Sequence, residues 1–356
     1  LVSPVQPWDA LICTSPAVRQ CLEALLDRWQ EHLSQRFGGT RAPRPQLPLL
    51  PLGVDQAALL EQRADQSSRN FLRRHLRLAE KDVLVLWLGR LSFFEKAYPQ
   101  GMFIALQKAA KRCGRRLHFV MAGWFPGGET DHSCYQEAAR CYAPDVPVHF
   151  LDGKNPEVVR CCWAAADLFL SLVDNPQETF GLAPVEAMAA GLPVVVSDWD
   201  GYRYTVSDGV EGFRVPTLAP SHARQGEELA LQHDYGLLSY QDYVGAVAQH
   251  VAVDTGAAAG AIARLDFSQR FGRQSRRYPD YRDGQRFRSS DPRKVEPHAR
   301  SAILPTIRDI RRRARDRTNF LGRRCFCRTG RPAQPSHAPF RARLCRVART
   351  VFPAAE

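Results

Sequence analysis

From residue 82 to residue 197 short apolar runs and helical segments take turns along the chain, and this alternation constrains the fold more than any single residue does. Residues 83–88, 117–122, 146–151, 168–172 and 192–196 are runs rich in Val, Leu and Phe, of the kind buried on both faces of a parallel sheet. Between them lie stretches of helical composition at 102–112, 133–141, 156–165 and 183–190, with a Gly/Pro loop at 123–130. Strand and helix in strict alternation predict an α/β fold: a parallel sheet with right-handed crossovers, helices on both faces, and ligands at the carboxyl ends of the strands. Upstream, residues 10–15 are expected to form a strand, and residues 17–35 a helix with Val18, Leu22, Leu25, Leu26 and Trp29 on one face. Downstream, helical segments are expected at 227–231, 240–251 and 257–265, the second with Tyr243, Val244, Val247 and Val251 at helical spacing.

With 356 residues and 44% hydrophobic composition the chain can bury a core and hold two domains of ordinary size. The net charge of +12 raises the question of a nucleic-acid partner, but that charge is unevenly placed. Residues 267–356 carry 24 Lys+Arg against 7 Asp+Glu, a balance of +17, which leaves 25 against 30, or −5, for residues 1–266. That last stretch is Arg-rich, Lys-poor and Pro-punctuated, without sustained periodicity outside 303–310. Off-frame translation of GC-rich DNA yields such a composition, whereas nucleic-acid-binding tails mix Lys, Gly and aromatics in repeats. Residues 267–356 are therefore expected to be a disordered or frame-shifted segment, with a nucleic-acid or acidic-lipid partner only if the tail is genuine. The ten cysteines are scattered, with Cys161 and Cys162 adjacent and only Cys325 and Cys327 near ligand spacing, which supports neither a disulfide framework nor a zinc site and fits a reducing cytoplasm. No run of 18 apolar residues and no leader pattern occur, so the expectation is a soluble, cytoplasmic chain, with peripheral membrane association left open.

Residues 174–201 carry the chemistry. Glu178 stands in a loop, Phe180, Gly181 and Leu182 close a turn, and the helix that follows tolerates Pro184 in its first turn, where no N–H is needed. Gly191 ends that helix ahead of a buried strand. The backbone N–H groups of Thr179, Phe180, Gly181 and Leu182 precede a helix N-terminus, a natural seat for phosphate or sugar hydroxyls. Glu186 lies two turns further on and can accept hydrogen bonds from a vicinal diol. Two acceptors flanking an anion-binding turn suit a nucleotide sugar. Earlier in the chain, the strand at 83–88 ends in Gly89 and Arg90, with Lys96 six residues later. A guanidinium and an ammonium at the end of a strand can neutralise a departing diphosphate.

Within ETFGLAPVEAMAAGLPVV, Glu178 and Glu186 resemble the E-x7-E motif of retaining GT-B glycosyltransferases of the family 4 type (glycosyl transferases group 1), and Arg90 with Lys96 resembles that family's G-R-x(n)-K signature, with Ala97 where a Gly is common. The resemblance covers residues 10–265, with specific motifs at 89–96 and 168–215. It implies a GT-B type Rossmann-like donor domain at 51–266, reached through an interdomain crossing at 52–55, with residues 1–50 a remnant of an N-terminal acceptor domain and linker. It further implies transfer of a sugar from a nucleotide-diphosphate sugar to a saccharide or glycan acceptor, by a hexosyltransferase type of enzyme. Catalytic residues would be Arg90, Lys96 and Glu178; Thr179, Phe180, Gly181, Leu182 and Glu186 would bind the donor; no metal or other cofactor is expected. Without the rest of the acceptor domain such a fragment would bind a nucleotide and transfer little.

Other candidates carry less. Asp198-Trp199-Asp200 spells D-x-D but follows a core strand, and its expected duty is to shape the turn before Gly201 rather than to hold a metal. His118 and His149 sit in apolar strands as core histidines, and His132 and Cys134 lack ligand partners. Two rival readings stay open: a nucleotide-sugar epimerase or hydrolase of the same superfamily, and a non-enzymatic protein that binds nucleic acid through the basic tail.

Overall fold

The computed structural model describes residues 5–6, 8–38, 43–92, 95–220 and 224–265. The expected tail at 267–356 lies outside the described residues.

Helix α1 (Pro16–Phe37) starts where Ser15 Oγ accepts the Val18 N–H and Pro16 supplies a preset φ, and it stops at Gly38. Two short helices follow, α2 (Gln56–Ala64) capped by Asp55 and α3 (Gln66–His75) capped by Asp65, whose carboxylate takes the N–H groups of Ser67 and Ser68. The alternation then begins: β1 (Val83–Arg90), α4 (Pro99–Ala110), β2 (Leu117–Trp124), α5 (Glu129–Tyr142), β3 (Val148–Asp152), α6 (Pro156–Ala165), β4 (Leu168–Ser171), α7 (Leu182–Ala189) and β5 (Val194–Ser197). After the short α8 (Tyr202–Thr205) come β6 (Gly212–Val215), β7 (Thr217–Leu218), α9 (Arg224–Asp234), α10 (Tyr240–Ala248), β8 (Ala252–Val253) and α11 (Thr255–Arg264).

All six long-sheet strands are parallel, in the order β3-β2-β1-β4-β5-β6, so the α/β expectation holds. The chain winds outward from β1 through β2 to β3, then crosses back under α6 to lay β4 on the other side of β1. Right-handed crossovers therefore put α4 and α5 on one face and α6 and α7 on the other. Helix α11 packs on α4, and α2 and α3 pack on α6. Residues 83–87 of β1 and all four of β4 are buried, which is why they read as continuous apolar runs. Order reverses between β1 and β4, and the crevice outside their carboxyl ends is the topological switch point.

At the opposite, amino end, three arginines hold that junction. Arg63 Nη1 donates to the carbonyls of Ala164 (2.8 Å) and Ala166 (2.7 Å), and Arg69 to Ala165 (3.1 Å), so the bare C-terminal turn of α6 is satisfied by guanidinium groups. Arg69 (3.1 Å) and Arg73 (2.9 Å) also grip the two oxygens of Asp167. The same carboxylate accepts the Leu84 N–H at 2.9 Å, and the Asp167 N–H donates to Leu84 O at 2.8 Å, which ties β1 to the chain entering β4.

The structure departs from expectation in four places. Residues 10–15 form no strand, only isolated bridges of Ala10 to Gln46 and Cys13 to Leu49. Their partner segment contains Pro43, Pro45, Pro48 and Pro51, which cannot donate to a ladder. Helices α2 and α3 appear where no helix is expected: α2 is only nine residues long, α3 has just Phe71 and Leu72 as apolar residues, and both are anchored through arginines. Helix α10 stops at Ala248, so Val251 of the helix expected at 240–251 lies outside it, ahead of β8. In the Gly/Pro loop at 123–130, Gly123 still belongs to β2 and α5 already begins at Glu129, with Glu129 and Asp131 in its first turn favoured by the dipole.

His118 is buried as expected, whereas His149 on the edge strand β3 is only half buried, and the two rings are stacked on one another, 4° from parallel and 5.5 Å apart, with Nδ1 and Nε2 at 3.1 Å. Burial lowers both pKa values, and the neighbouring His118 and His75 help push His149 down to about 4. The native state then binds fewer protons than the unfolded chain between pH 6.5 and about 4, so this contribution is complete above 6.5 and is lost as pH falls through that window. At this half-buried sheet edge, partly screened by water, it amounts to about 1–2 kcal/mol. Denaturant midpoints of the native chain and His149→Gln, compared at pH 7 and pH 4.5, should converge on acidification; a constant gap would contradict it. Asp167→Ala, which strands Arg69, Arg73 and the Leu84 N–H, should cost about 2–4 kcal/mol in the same measurement, and a loss below about 1 kcal/mol would show that the junction does not depend on it.

Candidate functional site

The switch point gathers the loop after β1 and the loop after β4. Lys96, from the first, reaches Glu178, from the second, and the Lys96 Nζ to Glu178 Oε2 ion pair closes the crevice floor across 82 residues of sequence. Glu178 is only 8% exposed, so its charge leans on this one ammonium. Arg90 ends β1 and is held by Glu95 at 3.2 Å, while the Glu95 N–H donates to Ser92 Oγ at 3.0 Å. It is thus beside Lys96 in the same loop, half-exposed and presented outward, with no contact to Glu178.

Past Glu178 the chain turns into α7 through Gly181, whose φ of +84° belongs to the left-handed region. A Cβ there would lie 2.1 Å from the Tyr202 ring, so both conformation and space require glycine. No side chain caps α7, and the first backbone N–H groups of the helix, at Leu182 and Ala183, have no intrahelical acceptor. Thr179 differs from the expectation for the turn, since its N–H already donates to Gln177 O at 2.9 Å. Phe180 is buried and anchors the turn. Glu186 stands little more than one turn into α7, where burial raises its pKa, and no hydrogen bond or ion pair to another described residue is formed by its carboxyl.

A second layer fixes these groups, and most of it has no local sequence signal. The Gly201 N–H donates to Glu178 O at 3.1 Å, and a Cβ on Gly201 would fall 2.4 Å from Thr179 O. Trp199 Nε1 donates to Asn175 O (3.0 Å), Ser197 Oγ to Val173 O (2.7 Å), and Ser171 Oγ meets Tyr202 Oη at 2.9 Å. The 197–202 turn is therefore pinned against the 171–179 loop, which is the turn-shaping role expected of the D-x-D stretch. Asp198 pairs with Arg203 and Arg214, both at 3.5 Å. From the far end of the chain, Ser15 Oγ donates to Thr179 O at 2.5 Å. Asp174 accepts the Tyr98 N–H at 3.3 Å, which ties the loop bearing Lys96 to the end of β4. Burial pushes its carboxyl up to about 8, so at neutral pH it is largely uncharged. Asp200 is pushed up to about 7, by burial first and then by Glu178. Among the described residues no group of three His, Cys, Asp or Glu side chains could hold a metal ion, and no helix is long and apolar enough to cross a membrane.

This arrangement offers open backbone donors at a helix N-terminus, a buried carboxylate paired to one lysine, an arginine paired with Glu95, and a further carboxyl. Such a set can hold a phosphate group on the donors and cations while carboxylates accept sugar hydroxyls.

Residues 68–232 match the family model described as Glycosyl transferases group 1. The chain is 31% identical over 161 residues to a D-inositol 3-phosphate glycosyltransferase of Corynebacterium aurimucosum, covering 45% of this chain and 36% of that protein. It is 28% identical over 215 residues to the protein of the same name from Corynebacterium efficiens, covering 58% and 49%. The chain thus spans half or less of the length of these relatives. Among solved structures it is similar to HepE of Anabaena in complex with UDP-glucose, at 20% identity and a TM-score of 0.44 over 75% of this chain and 62% of that one.

Gly181→Ala should drive Tyr202 from its place and break the turn that presents the α7 N-terminus. The expected outcome is a destabilisation of about 2–3 kcal/mol in thermal or denaturant unfolding. Unchanged thermal unfolding of this variant would show that the turn tolerates a side chain.

Proposed function

We propose that this chain carries the donor half of a retaining glycosyltransferase of the GT-B, family 4 type, which transfers a sugar from a nucleotide-diphosphate sugar to a saccharide or glycan acceptor. The observation that carries the reading is the Lys96–Glu178 pair, set at the switch point directly before an uncapped helix N-terminus. The family match over residues 68–232 and the glycosyltransferase relatives support it.

In this reading the diphosphate lies over the N–H groups that open α7, with Lys96 and Arg90 facing the negative charge that develops as the glycosidic bond breaks. Glu178 accepts hydrogen bonds from the sugar, and Glu186 accepts a pair from the ribose diol. In this reading Glu178 serves as a hydrogen-bond acceptor and not as a covalent nucleophile, which suits departure and attack on one face of the sugar with retention of configuration. Catalysis rests on positioning and leaving-group stabilisation, and the two cations take the part that a metal takes elsewhere. The acceptor class is that of polyols, saccharide or glycan, to which an inositol phosphate, named in the relatives, also belongs.

Titration calorimetry of the full chain with UDP, GDP and ADP tests this. At least one should bind, EDTA should leave its affinity unchanged, and Glu186→Gln, Lys96→Ala and Arg90→Ala should each weaken it by about 10- to 100-fold without unfolding the domain. Equal affinity in all three variants would sink the assignment.

A further inference from the structure

Asp200 occupies a place that the reaction scheme above does not use. Its φ of +40° is one of two left-handed non-glycine conformations among the described residues, the other being Arg77. Asp tolerates that region better than most residues, but glycine would relax it. The conformation is imposed from both sides: Trp199 Nε1 is bound to Asn175 O, and the Gly201 N–H to Glu178 O. Residue 200 is therefore locked to the backbone of Glu178 itself.

Among the described residues the side chain finds one favourable charge, the Arg203 guanidinium. Its half-buried carboxyl forms no hydrogen bond or ion pair with another described residue, although Asp198, two residues before, is paired with Arg203 and Arg214. The charged groups around it are Glu178, Lys96 as the partner of Glu178, and Arg203. Burial and the Glu178 charge both oppose its ionisation, bringing it to about 7, so that it can accept or donate a hydrogen bond at neutral pH. A half-buried carboxyl left without a hydrogen bond or ion pair among the described residues, beside a second carboxyl and at some cost in backbone conformation, is an arrangement suited to a ligand that brings several hydroxyls.

We propose that Asp200 is a specificity-determining residue that acts with Glu178 to grip two hydroxyls of the transferred sugar, selecting donors with a hydroxyl-rich, unsubstituted pyranose. The inference rests on the nucleotide-sugar reading of the site and deepens it. It separates the two halves of the donor: Asp200 contributes to the sugar and nothing to the nucleotide.

Calorimetry on the full chain with UDP-glucose, GDP-mannose and ADP-glucose, each beside its free diphosphate, distinguishes the possibilities. Asp200→Gly should weaken the nucleotide sugar by about tenfold, leave the matching diphosphate within about twofold, and keep or raise the melting temperature, because glycine relieves the backbone. Asp200→Asn, which suits a left-handed position and keeps both hydrogen-bonding roles, should fall between the two. Equal losses for sugar and diphosphate, or a fall in melting temperature matching the loss of affinity, would make Asp200 a structural residue and overturn the proposal. Diphosphates that bind while the sugar adds no Asp200-dependent affinity would overturn it as well. Failure of every diphosphate to bind would instead bring down the nucleotide-sugar reading, and this inference with it.

Discussion

The Asp167 carboxylate is where the architecture is decided. Strands β1 and β2 share an eight-residue register, whereas β1 and β4 share only Val85 with Leu168 and Leu86 with Phe169. That weak seam must nevertheless hold, because the crevice that gathers the functional groups exists only if β1 and β4 are neighbours. Asp167 reinforces it by pairing with the backbone of Leu84 while two arginines neutralise its charge. The same arginine cluster finishes α6, so one group of side chains serves a helix terminus, a strand pair and two helices that would otherwise have few reasons to dock. Replacing it by apolar residues would satisfy none of the carbonyls at 164–166.

At the other end of the same seam the logic is reversed. Instead of saturating every donor and acceptor, the protein leaves the N-terminus of α7 open and holds Glu178 with one lysine. Around that opening the supporting contacts are dense: Ser15, Asn175, Ser197, Trp199, Gly201 and Tyr202 bind backbone or each other so that the turn at 178–181 has one shape. A ligand meeting such a site finds unused hydrogen-bonding capacity that is already aimed, and the ordering cost has been met by folding. The uncharged state of Asp174 fits the same design, since a further full negative charge buried in the loop after β4 would oppose an anionic ligand.

Much of this could be read along the chain, and particular residues explain why. The strands at 83–88 and 117–122 were legible because burial on both faces writes itself as an unbroken apolar run, and α6 because Asn155 and Pro156 punctuate its start. The places of Lys96 after β1, of Glu178 before α7 and of Glu186 within it were legible because helix, turn and motif are local and keep fixed spacing. Helices α2 and α3 were not, since what makes them fold is a set of arginine contacts to carbonyls about a hundred residues away. Nor was the failure of the strand at 10–15, which depends on which proline-rich segment happens to lie beside it.

The sequence by itself determined the alternating elements, their caps and the identity of the charged residues at the strand ends, because each of these is set by neighbours within a few positions. Only the tertiary structure decided that Lys96 pairs with Glu178 and not with Glu95, that Arg90 does the reverse, that Asp174 loses its charge, and that Asp200 stands beside Glu178 with no hydrogen bond to its carboxyl among the described residues. The physical reason is the same in each case. Hydrogen bonding and charge at these sites are fixed by strand order and burial, and neither quantity is carried by any one stretch of chain.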